Sequence, residues 1–327
     1  MPKIFITRQI PNQGIKMLKE KGYEVIIHPK DEIIPRPELL KGVSGSQAIL
    51  SILTDRIDAE VFDAAGPELK IVANYAVGFD NIDLETAKQR NIFIANTPCN
   101  EVSEAVAEHT FALMLALAHR IPESDRFTKA EKYQGWSPTL LLGADVYGKT
   151  LGIVGLGRIG FAVAERAVKG FRMKALYHDI KPNPDFEREY GGKLVDLPTL
   201  LKESDFVSLH VPLLPTTRHL ISEAELRQMK PRAFLINTAR GPIIDEKALL
   251  RALENKQIAG AALDVFECEP AIDCDIRDNL ELKKYNNVIL TPHTASGTIE
   301  ARQAMSRVAA KNIIAALEGK TPPNLAK

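Results

Sequence analysis

The sequence predicts an α/β protein with mainly parallel sheets, and three observations support that fold class. Strand-like and helix-like segments alternate almost throughout the chain. The 327 residues, 45% of them hydrophobic and 26% charged, are enough for two domains with separate cores. Near the middle of the chain, a turn of the form Gly-x-Gly-x-x-Gly joins an apolar run to a helical run.

The first 100 residues are predicted to form one small doubly wound unit. Short apolar runs predict strands, and helical segments such as "NQGIKMLKEKG" and "DLETAKQRN" separate them. The last of these strands lies in "IFIANTP" and is stopped by proline. The predicted strands cover residues 3–7, 23–28, 47–53, 69–75 and 92–98.

A long helix is predicted over 103–121, where apolar residues occupy nearly every face, so the helix should be buried. A loop-rich segment, 133–150, follows it, and a second and larger α/β series runs on to "NVILTP". The final segment predicts a helix that packs back on the first unit. We therefore expect residues 1–100 and 294–327 to form one domain and 101–293 the other, with a ligand cleft between them.

Charge and cysteine content exclude several classes of protein. The 42 basic and 42 acidic side chains balance, which disfavours a nucleic-acid partner. The opening "MPKIFITR" is short and strand-like, so we do not expect a signal peptide, and the apolar run "FALMLALA" is too short to span a membrane. Cys99, Cys268 and Cys274 form no recognisable pattern, which argues for a reducing compartment and against a disulfide framework or a metal site. We expect a cytoplasmic protein with a small-molecule partner.

The glycine-rich turn is typical of a dinucleotide-binding site. In "GKTLGIVGLGRIGFAVAERAVKGF" the glycines permit a tight turn, a close approach of the backbone to a pyrophosphate, and close packing of helix on strand. The N-terminus of the following helix points its positive dipole end at the phosphates. We therefore expect the cofactor to contact Gly155, Leu156, Gly157, Arg158, Ile159 and Gly160.

Asp179 ends the next predicted strand, "KALYHDI", 19 residues after Gly160. A carboxylate at that position accepts hydrogen bonds from the ribose 2′-hydroxyl of NAD and repels the 2′-phosphate of NADP. The sequence therefore favours NADH over NADPH. His178, Lys181 and Arg158 weaken that discrimination, and a surface turn residue is the alternative interpretation of Asp179.

A further strand within 204–221 ends in "HVP" and leads into a loop. Strand ends at this edge of a doubly wound sheet face the cofactor, so Pro212 and Thr217 are expected to contact its adenosine or phosphate side. His210 is also expected to contact the cofactor. Structural roles are favoured for the side chains of His210 and His219, because neither has a carboxylate nearby in the sequence.

Charged residues follow three later strand-like runs. Arg240 comes after "AFLIN", Asp264 and Glu269 come after "GAAL", and His293 comes after "NVIL". Because the carboxyl ends of parallel strands meet at one edge of a sheet, these side chains should converge beside the nicotinamide. That convergence indicates a specific reaction.

An arginine, a glutamate and a histidine beside a nicotinamide suit the reduction of a 2-oxo acid. A guanidinium binds the substrate carboxylate in bidentate fashion. An imidazole gives the carbonyl oxygen a proton, and a neighbouring carboxylate stabilises the protonated imidazole. Arg240, His293 and Glu269 would fill these roles. Taken singly, each has a structural alternative: a salt bridge in a turn, a capping histidine, or a solvated loop charge.

These segments resemble a known family. "GLGRIG", "NTARGPIIDEKALLRAL", "GAALDVFECEP" and "LTPHTASG" are similar to signature blocks of the D-isomer-specific 2-hydroxyacid dehydrogenases, and the similarity extends over essentially the whole chain. The resemblance implies a Rossmann-type doubly wound parallel sheet domain inserted in a split flavodoxin-like substrate domain. It also implies that Arg240, Glu269 and His293 are catalytic and that Asp264 contacts the nicotinamide carboxamide.

The same resemblance implies the substrate site and the oligomer. N–H groups of Ala76, Val77 and Gly78 would bind the substrate carboxylate, with Arg240 and His293 completing the substrate site. A homodimer through the helix at 103–121 is typical of the family. The expected cofactor contacts are completed by Thr238, Arg240, Asp264 and His293.

Within the family the chain is most similar to glyoxylate/hydroxypyruvate reductases, through "FITRQIPNQGIKMLKE" and "VANYAVGFDNID". This implies NADH-dependent reduction of glyoxylate or hydroxypyruvate to glycolate or D-glycerate. Formate dehydrogenases carry glutamine where Glu269 stands, and phosphite dehydrogenases carry lysine where Val77 stands. Phosphite, D-lactate or phosphoglycerate oxidation within the family, and a non-catalytic NAD-sensing binding protein, stay open as alternatives.

Overall fold

The structure is a computed structural model that describes residues 1–269 and 281–326. Two compact units make up the chain. The domain boundaries expected from the sequence, after residue 100 and after residue 293, stay a prediction. In described residues, the first unit is 1–102 with 297–326 and the second is 103–269 with 281–296.

The first unit contains a five-stranded parallel sheet. Its strands are β1 (Lys3–Ile6), β2 (Glu24–Ile27), β3 (Ala48–Ser51), β4 (Ile71–Asn74) and β5 (Phe93–Ala95). They lie in the order β2-β1-β3-β4-β5, and each neighbouring pair is parallel. Every residue of β3 and β4 is buried, as expected for continuous apolar strands at the centre of a parallel sheet.

Aspartate caps begin two of the helices in the first unit. Asp58 accepts a hydrogen bond from the N–H of Val61, and Asp83 accepts one from the N–H of Thr86, so each satisfies a helix-terminal donor. The helices of this unit are α1 (Asn12–Glu20), α2 (Arg36–Val43), α3 (Ala59–Ala65), α4 (Leu84–Gln89) and the C-terminal α12 (Ile299–Leu317).

Helices α1 and α12 approach each other closely at Gly14. Its N–H donates a hydrogen bond of 2.9 Å to Ser306 Oγ, which in turn donates one of 2.6 Å to the carbonyl oxygen of Pro11. A Cβ atom on Gly14 would lie 2.1 Å from the carbonyl oxygen of Ser306. The contact between these two helices therefore requires glycine at this position.

The second unit contains a seven-stranded parallel sheet. Its strands are β6 (Thr150–Val154), β7 (Lys174–His178), β8 (Lys193–Leu194), β9 (Phe206–Leu209), β10 (Phe234–Asn237), β11 (Gly260–Leu263) and β12 (Val288–Leu290). Their order is β12-β11-β10-β9-β6-β7-β8. The direction of winding reverses between β6 and β9, and in open sheets ligands bind outside the carboxyl ends of the strands at such a point. The predicted α/β fold class is confirmed.

A long buried helix leads into this sheet. It ends three residues earlier than predicted, because Arg120 adopts a left-handed φ of 53° and a separate helix begins beyond it. In the described part of the chain, neither this helix nor any other is long and apolar enough to cross a membrane. The helices here are α5 (Asn100–Ala118), α6 (Ile121–Lys129), α7 (Arg158–Phe171), α8 (Pro184–Tyr190), α9 (Leu197–Glu203), α10 (Glu223–Leu226) and α11 (Glu246–Glu254).

One cysteine departs from the sequence-based expectation. Cys268 is disulfide-bonded. The absence of any disulfide framework was expected, and for Cys268 that expectation was wrong, because pairing depends on how the chain folds and not on spacing in the sequence. Cys274 lies outside the described residues.

We expect Gly14→Ala to lower the free energy of unfolding by about 1–3 kcal/mol, because the added methyl group forces α1 away from α12. The matched control is Gly170→Ala in α7, where a Cβ meets nothing within 4 Å. There the better helix propensity of alanine should raise stability by roughly 0.5–1 kcal/mol. Thermal unfolding of both variants beside the wild type measures this, and an unchanged melting temperature for Gly14→Ala would contradict the packing argument.

Candidate functional site

The three glycines of the turn between β6 and α7 have three different surroundings. Gly155 has a φ of 94°, and a Cβ there would lie 2.9 Å from the carbonyl oxygen of His210 and 2.8 Å from a methyl group of Val211. A Cβ on Gly160 would lie 2.1 Å from the carbonyl oxygen of Gly155. A Cβ on Gly157 would meet nothing within 4 Å. Two glycines thus permit close protein packing, whereas the third leaves space through which a ligand can approach the backbone.

The N-terminus of α7 suits an anion. Gly157 is its N-cap, no side chain caps the helix, and its first turn contains no acidic residue. The first N–H groups of a helix have no partner within the helix, and the dipole favours negative charge there. The predicted contacts Arg158 and Ile159 occupy the first two helical positions. These features fit the pyrophosphate of a dinucleotide.

Asp179 is tied to this turn at the end of β7. Its Oδ2 accepts a hydrogen bond of 2.7 Å from the N–H of Leu156, and its Oδ1 accepts one of 2.7 Å from the N–H of Ile180. The structure therefore places a carboxylate beside the glycine turn, where an acidic residue would meet the adenosine ribose. A contact of Asp179 with that ribose stays a prediction.

The loop after β9 is closed by its own side chains. Thr217 Oγ1 donates a hydrogen bond of 2.6 Å to the carbonyl oxygen of Pro212 and accepts one of 2.8 Å from the N–H of Leu214. His210 Nε2 lies 2.8 Å from Ser208 Oγ, and burial lowers the pKa of His210 to about 3, so its imidazole is neutral near pH 7. Contacts of this loop with the cofactor stay a prediction.

A buried asparagine shapes the turn after β10. Asn237 Nδ2 donates a hydrogen bond of 2.9 Å to the carbonyl oxygen of Arg240, and Asn237 Oδ1 accepts one of 3.0 Å from the N–H of Ala239. Arg240 Nη1 donates one of 2.8 Å to the carbonyl oxygen of Ala239. The predicted cofactor contact Thr238 has its Oγ1 3.1 Å from Thr110 Oγ1 in α5. The position of Arg240 is thus set by the end of its strand.

The turn after β10, residues 238–242, is called the Arg240 turn, and the turn after β11, residues 264–269, is called the Glu269 turn. The two turns lie directly against each other. A Cβ on Gly241 would lie 1.7 Å from the carbonyl oxygen of Phe266. Only glycine permits this approach of two backbones. In "ARG" the arginine therefore supplies the charge and the glycine permits the packing. That packing brings the segments carrying Arg240 and Glu269 together.

The carboxylate of Asp264 is fully buried at the end of β11. Its Oδ1 accepts hydrogen bonds from Thr291 Oγ1 at 2.6 Å and from the N–H of Thr294 at 2.9 Å. Its Oδ2 accepts one of 2.7 Å from the N–H of Ala295, and its carbonyl oxygen accepts one of 2.9 Å from the N–H of His293. Asp264 thus holds the chain on both sides of His293, and its predicted contact with the nicotinamide carboxamide stays a prediction.

Hydrogen bonding keeps Asp264 ionised. Burial alone would raise the pKa of this carboxyl, but hydrogen bonds from His109, Thr291, Thr294 and Ala295 outweigh burial and lower the pKa below its ordinary value. His109 Nε2 lies 3.5 Å from Asp264 Oδ1 and 3.1 Å from Thr291 Oγ1. A permanent negative charge is therefore held behind the segment that carries His293.

His293 and Glu269 form a pair. His293 Nδ1 is in close hydrogen-bond contact with Glu269 Oε1, and Glu269 Oε2 accepts a hydrogen bond of 3.3 Å from the N–H of Phe266. The side chains of His293 and Glu269 are 24% and 13% exposed, so the imidazole is accessible while its partner is nearly covered. With Nδ1 directed at Glu269, Nε2 is the nitrogen at which the ring can exchange a proton with a ligand.

The loop at 76–78 belongs to the first unit and presents its N–H groups. Its three carbonyl oxygens accept hydrogen bonds, in chain order, from the N–H of Thr97 at 2.9 Å, from Asn96 Nδ2 at 2.7 Å and from Asn74 Nδ2 at 2.9 Å. Within residues 1–269 and 281–326, no hydrogen bond uses the N–H groups of this loop. The carbonyls are therefore fixed while the donors stay available, which suits the predicted binding of a carboxylate.

Sequence reasoning missed a second histidine–carboxylate pair. A structural role was favoured for His219 because no carboxylate lies near it in the sequence, and its Nε2 lies 2.7 Å from Glu267 Oε1 in the structure. The pair was missed because the two residues are 48 positions apart and meet only in the fold. The available signal was the position of Glu267, which precedes Glu269 by two residues in "FECEP".

One further cavity in the second unit was considered as a candidate site. This cavity of about 790 Å³ is lined by residues such as Phe206 and Phe234, which begin β9 and β10. It therefore lies at the amino ends of the strands, opposite the edge that carries Arg240 and His293. Over the residues that the structure describes, no group of three or more histidine, cysteine or acidic side chains is suited to hold a metal ion.

Comparisons with known proteins show the family to which the chain belongs. Residues 111–295 match the family model described as D-isomer specific 2-hydroxyacid dehydrogenase, NAD binding domain. The chain is 50% identical to a glyoxylate reductase of Thermococcus litoralis over 328 residues, covering 99% of this chain and 96% of that protein. It is 49% identical to a glyoxylate reductase of Korarchaeum cryptofilum over 326 residues, covering 99% and 95%.

Among solved structures, the TT0316 protein from Thermus thermophilus superimposes with a TM-score of 0.91 at 41% identity, covering 99% of this chain and 100% of that one. A glyoxylate reductase from Paecilomyes thermophila gives a TM-score of 0.86 at 31% identity, covering 99% and 98%. The chain belongs to the D-isomer-specific 2-hydroxyacid dehydrogenase family and is an oxidoreductase that acts on 2-hydroxy acids.

Proposed function

We propose that the protein reduces glyoxylate or hydroxypyruvate with NADH, giving glycolate or D-glycerate. The contact of His293 with Glu269 carries the proposal: these residues follow β12 and β11, and Arg240 follows β10, in the sheet that also carries the glycine turn. The glyoxylate reductases to which the chain is about half identical support the choice of substrate class.

The residues of the second unit fit a nicotinamide dinucleotide. The turn at 155–160 would hold the pyrophosphate at the N-terminus of α7, and Asp179 would accept hydrogen bonds from the adenosine ribose. When bound, the cofactor supplies the hydride that is added to the carbonyl carbon of the substrate. Asp179 repels a 2′-phosphate, which is the basis for proposing NADH over NADPH.

Arg240 and His293 would divide the work on the substrate. The guanidinium of Arg240 binds the substrate carboxylate in bidentate fashion and so orients the carbonyl group. Protonated His293 gives its Nε2 proton to the carbonyl oxygen as that oxygen becomes a hydroxyl. In the reverse direction, neutral His293 removes the hydroxyl proton as hydride leaves the carbon.

Glu269 acts through His293. Its contact with Nδ1 fixes the orientation of the ring and stabilises the positive charge of the protonated imidazole. From the family resemblance we further infer that N–H groups of the 76–78 loop bind the substrate carboxylate. Their freedom from other hydrogen bonds, over the described residues, supports that role.

We also propose a homodimer. The segment after α6 exposes large apolar side chains, and Trp136 is 84% exposed. Leu142 and Tyr147 are also exposed in the same segment. Large apolar side chains left exposed in this way are typical of surfaces that contact another protein. A cytoplasmic location stays a prediction from the sequence.

A panel of substrates tests the proposed function. Loss of NADH absorbance should be fastest, by kcat/KM, with glyoxylate or hydroxypyruvate and slower with pyruvate, and phosphite oxidation with NAD should be absent. Preferred oxidation of phosphite, D-lactate or phosphoglycerate would assign the protein to another activity of the family. Tight NADH binding without turnover on any substrate would favour an NAD-sensing protein.

The Arg240→Lys variant should raise KM for glyoxylate and lower kcat, because an ammonium cannot make the two parallel hydrogen bonds of a guanidinium. We expect a loss in kcat/KM of roughly 100-fold, of the order seen for misplaced substrates. The control is Arg188→Lys, at an exposed ion pair with Asp185 in α8, which should retain wild-type kinetics. Unchanged kinetics of Arg240→Lys would refute bidentate binding.

The Asp179→Ser variant should lower the preference for NADH over NADPH about tenfold or more in kcat/KM, because the repulsion of the 2′-phosphate is removed. Asp185→Ser, at an exposed position in the following helix, supplies the control for a general change in charge. The ratio of kcat/KM with the two cofactors at fixed glyoxylate is the measurement. An unchanged ratio would show that Asp179 does not select the cofactor.

A further inference from the structure

Three titratable side chains without a part in the proposed chemistry lie together beside the Glu269 turn. Glu267 Oε1 is 2.7 Å from His219 Nε2, and Glu267 Oε2 accepts a hydrogen bond of 3.2 Å from the N–H of Glu246. In return, the N–H of Glu267 donates to Glu246 Oε1. The first residue of α11 and the Glu269 turn are therefore joined by two reciprocal hydrogen bonds, and His219 holds the same carboxylate from another side.

This cluster of His219, Glu246 and Glu267 also reaches the Arg240 turn. The N–H of His219 donates a hydrogen bond of 2.8 Å to the carbonyl oxygen of Pro242, two residues after Arg240. Both carboxylate oxygens of Glu267 are thus used to connect a segment next to Arg240 and the start of α11 to the turn that ends in Glu269.

Several contacts hold the turn that carries Glu269: Cys268, the residue before it, is disulfide-bonded, and Glu269 itself contacts His293. Phe266 contacts Gly241 through its carbonyl oxygen and donates its N–H to Glu269 Oε2 at a long 3.3 Å. Glu267 is the next residue along the chain from Phe266. Fixing Glu267 by three contacts therefore fixes the backbone from which Glu269 projects toward His293.

We propose that Glu267 is a positioning residue, held by Glu246 and His219, that keeps Glu269 directed at His293 during proton transfer. The inference rests on the proposed function, because it gives Glu267 a role only if Glu269 and His293 move the proton. It extends that function to residues that touch neither substrate nor cofactor.

Charge in the cluster is consistent with this role. Glu246 is buried at the N-terminus of α11, where the helix dipole favours a carboxylate. Burial raises the pKa of Glu246 to about 7, and the nearby charge of Glu267 adds to the increase while its N–H opposes it. Partial protonation of Glu246 near neutral pH relieves repulsion between the two carboxylates, so both hydrogen bonds can be kept.

A double-mutant cycle separates positioning from simple stabilisation. We would measure kcat with NADH and glyoxylate, per active site titrated by NADH fluorescence, for wild type, Glu267→Ala, Glu269→Gln and the double variant. Glu267→Ala should lower kcat roughly tenfold in the wild type, because small displacements of a catalytic group are costly. In the Glu269→Gln background it should lower kcat by under about twofold, because the group it positions is already disabled.

The control is Glu225→Ala, which removes the capping box that Glu225 forms with Ser222 in the neighbouring α10 without touching the Glu269 turn. It should lower the melting temperature by a few degrees and leave kcat unchanged. If Glu267→Ala does not fold, His219→Ala takes its place in the cycle, since that change removes one contact to Glu267 and leaves the two hydrogen bonds between Glu267 and Glu246.

The outcomes distinguish the two proposals. Equal fold losses for Glu267→Ala in both backgrounds would overturn the positioning role while leaving the proposed function intact. Wild-type kcat for Glu269→Gln would overturn the proposed proton-transfer pair and the positioning role with it. A large loss in the wild type and a small one beside Glu269→Gln would establish that Glu267 acts through Glu269.

Discussion

The carboxylate of Asp264 lies fully buried at the end of β11 and accepts hydrogen bonds from donors on both sides of His293. A charge removed from water is tolerated only when it is well paired, and leaving it unpaired costs roughly 3–5 kcal/mol. The segment around His293 therefore has a strong reason to keep its conformation. That conformation includes a left-handed φ of 53° at His293, which costs a non-glycine residue about 1–2 kcal/mol.

Close backbone contacts supply the second constraint on the site. At Gly155, Gly160 and Gly241 the chain passes so near another backbone that no side chain fits. At Gly157 the space is open, and the N-terminus of α7 faces it without a cap. Glycine thus permits close packing at three of these positions. At Gly157 it leaves room for a ligand, as a phosphate-binding turn requires.

The sequence was sufficient for much of this architecture, for identifiable reasons. Parallel strands buried on both faces are continuous apolar runs, so β3, β4 and β11 were found within two residues of their ends. An all-parallel sheet brings its carboxyl ends to one edge, which is why the pairing of Glu269 with His293 could be anticipated.

Other features were not predicted. The second α/β series was predicted as a whole, and helices α8, α9 and α10 were not assigned individually within it. The pairing of His219 with Glu267 depends on a contact 48 residues apart, and the direction of the Asp264 side chain depends on donors that follow β12. Such contacts are set by the packing of turns, which spacing in the sequence does not encode.

Proton transfer by His293 is the central step of the proposed reaction, and the His293→Asn variant removes it. The measurement is kcat for glyoxylate reduction with saturating NADH, beside the dissociation constant for NADH from fluorescence. We expect kcat to fall about 100-fold to 10,000-fold, as for loss of a general acid, while NADH binding changes little. A kcat near the wild-type value with intact NADH binding would contradict the assignment of His293 as the proton donor.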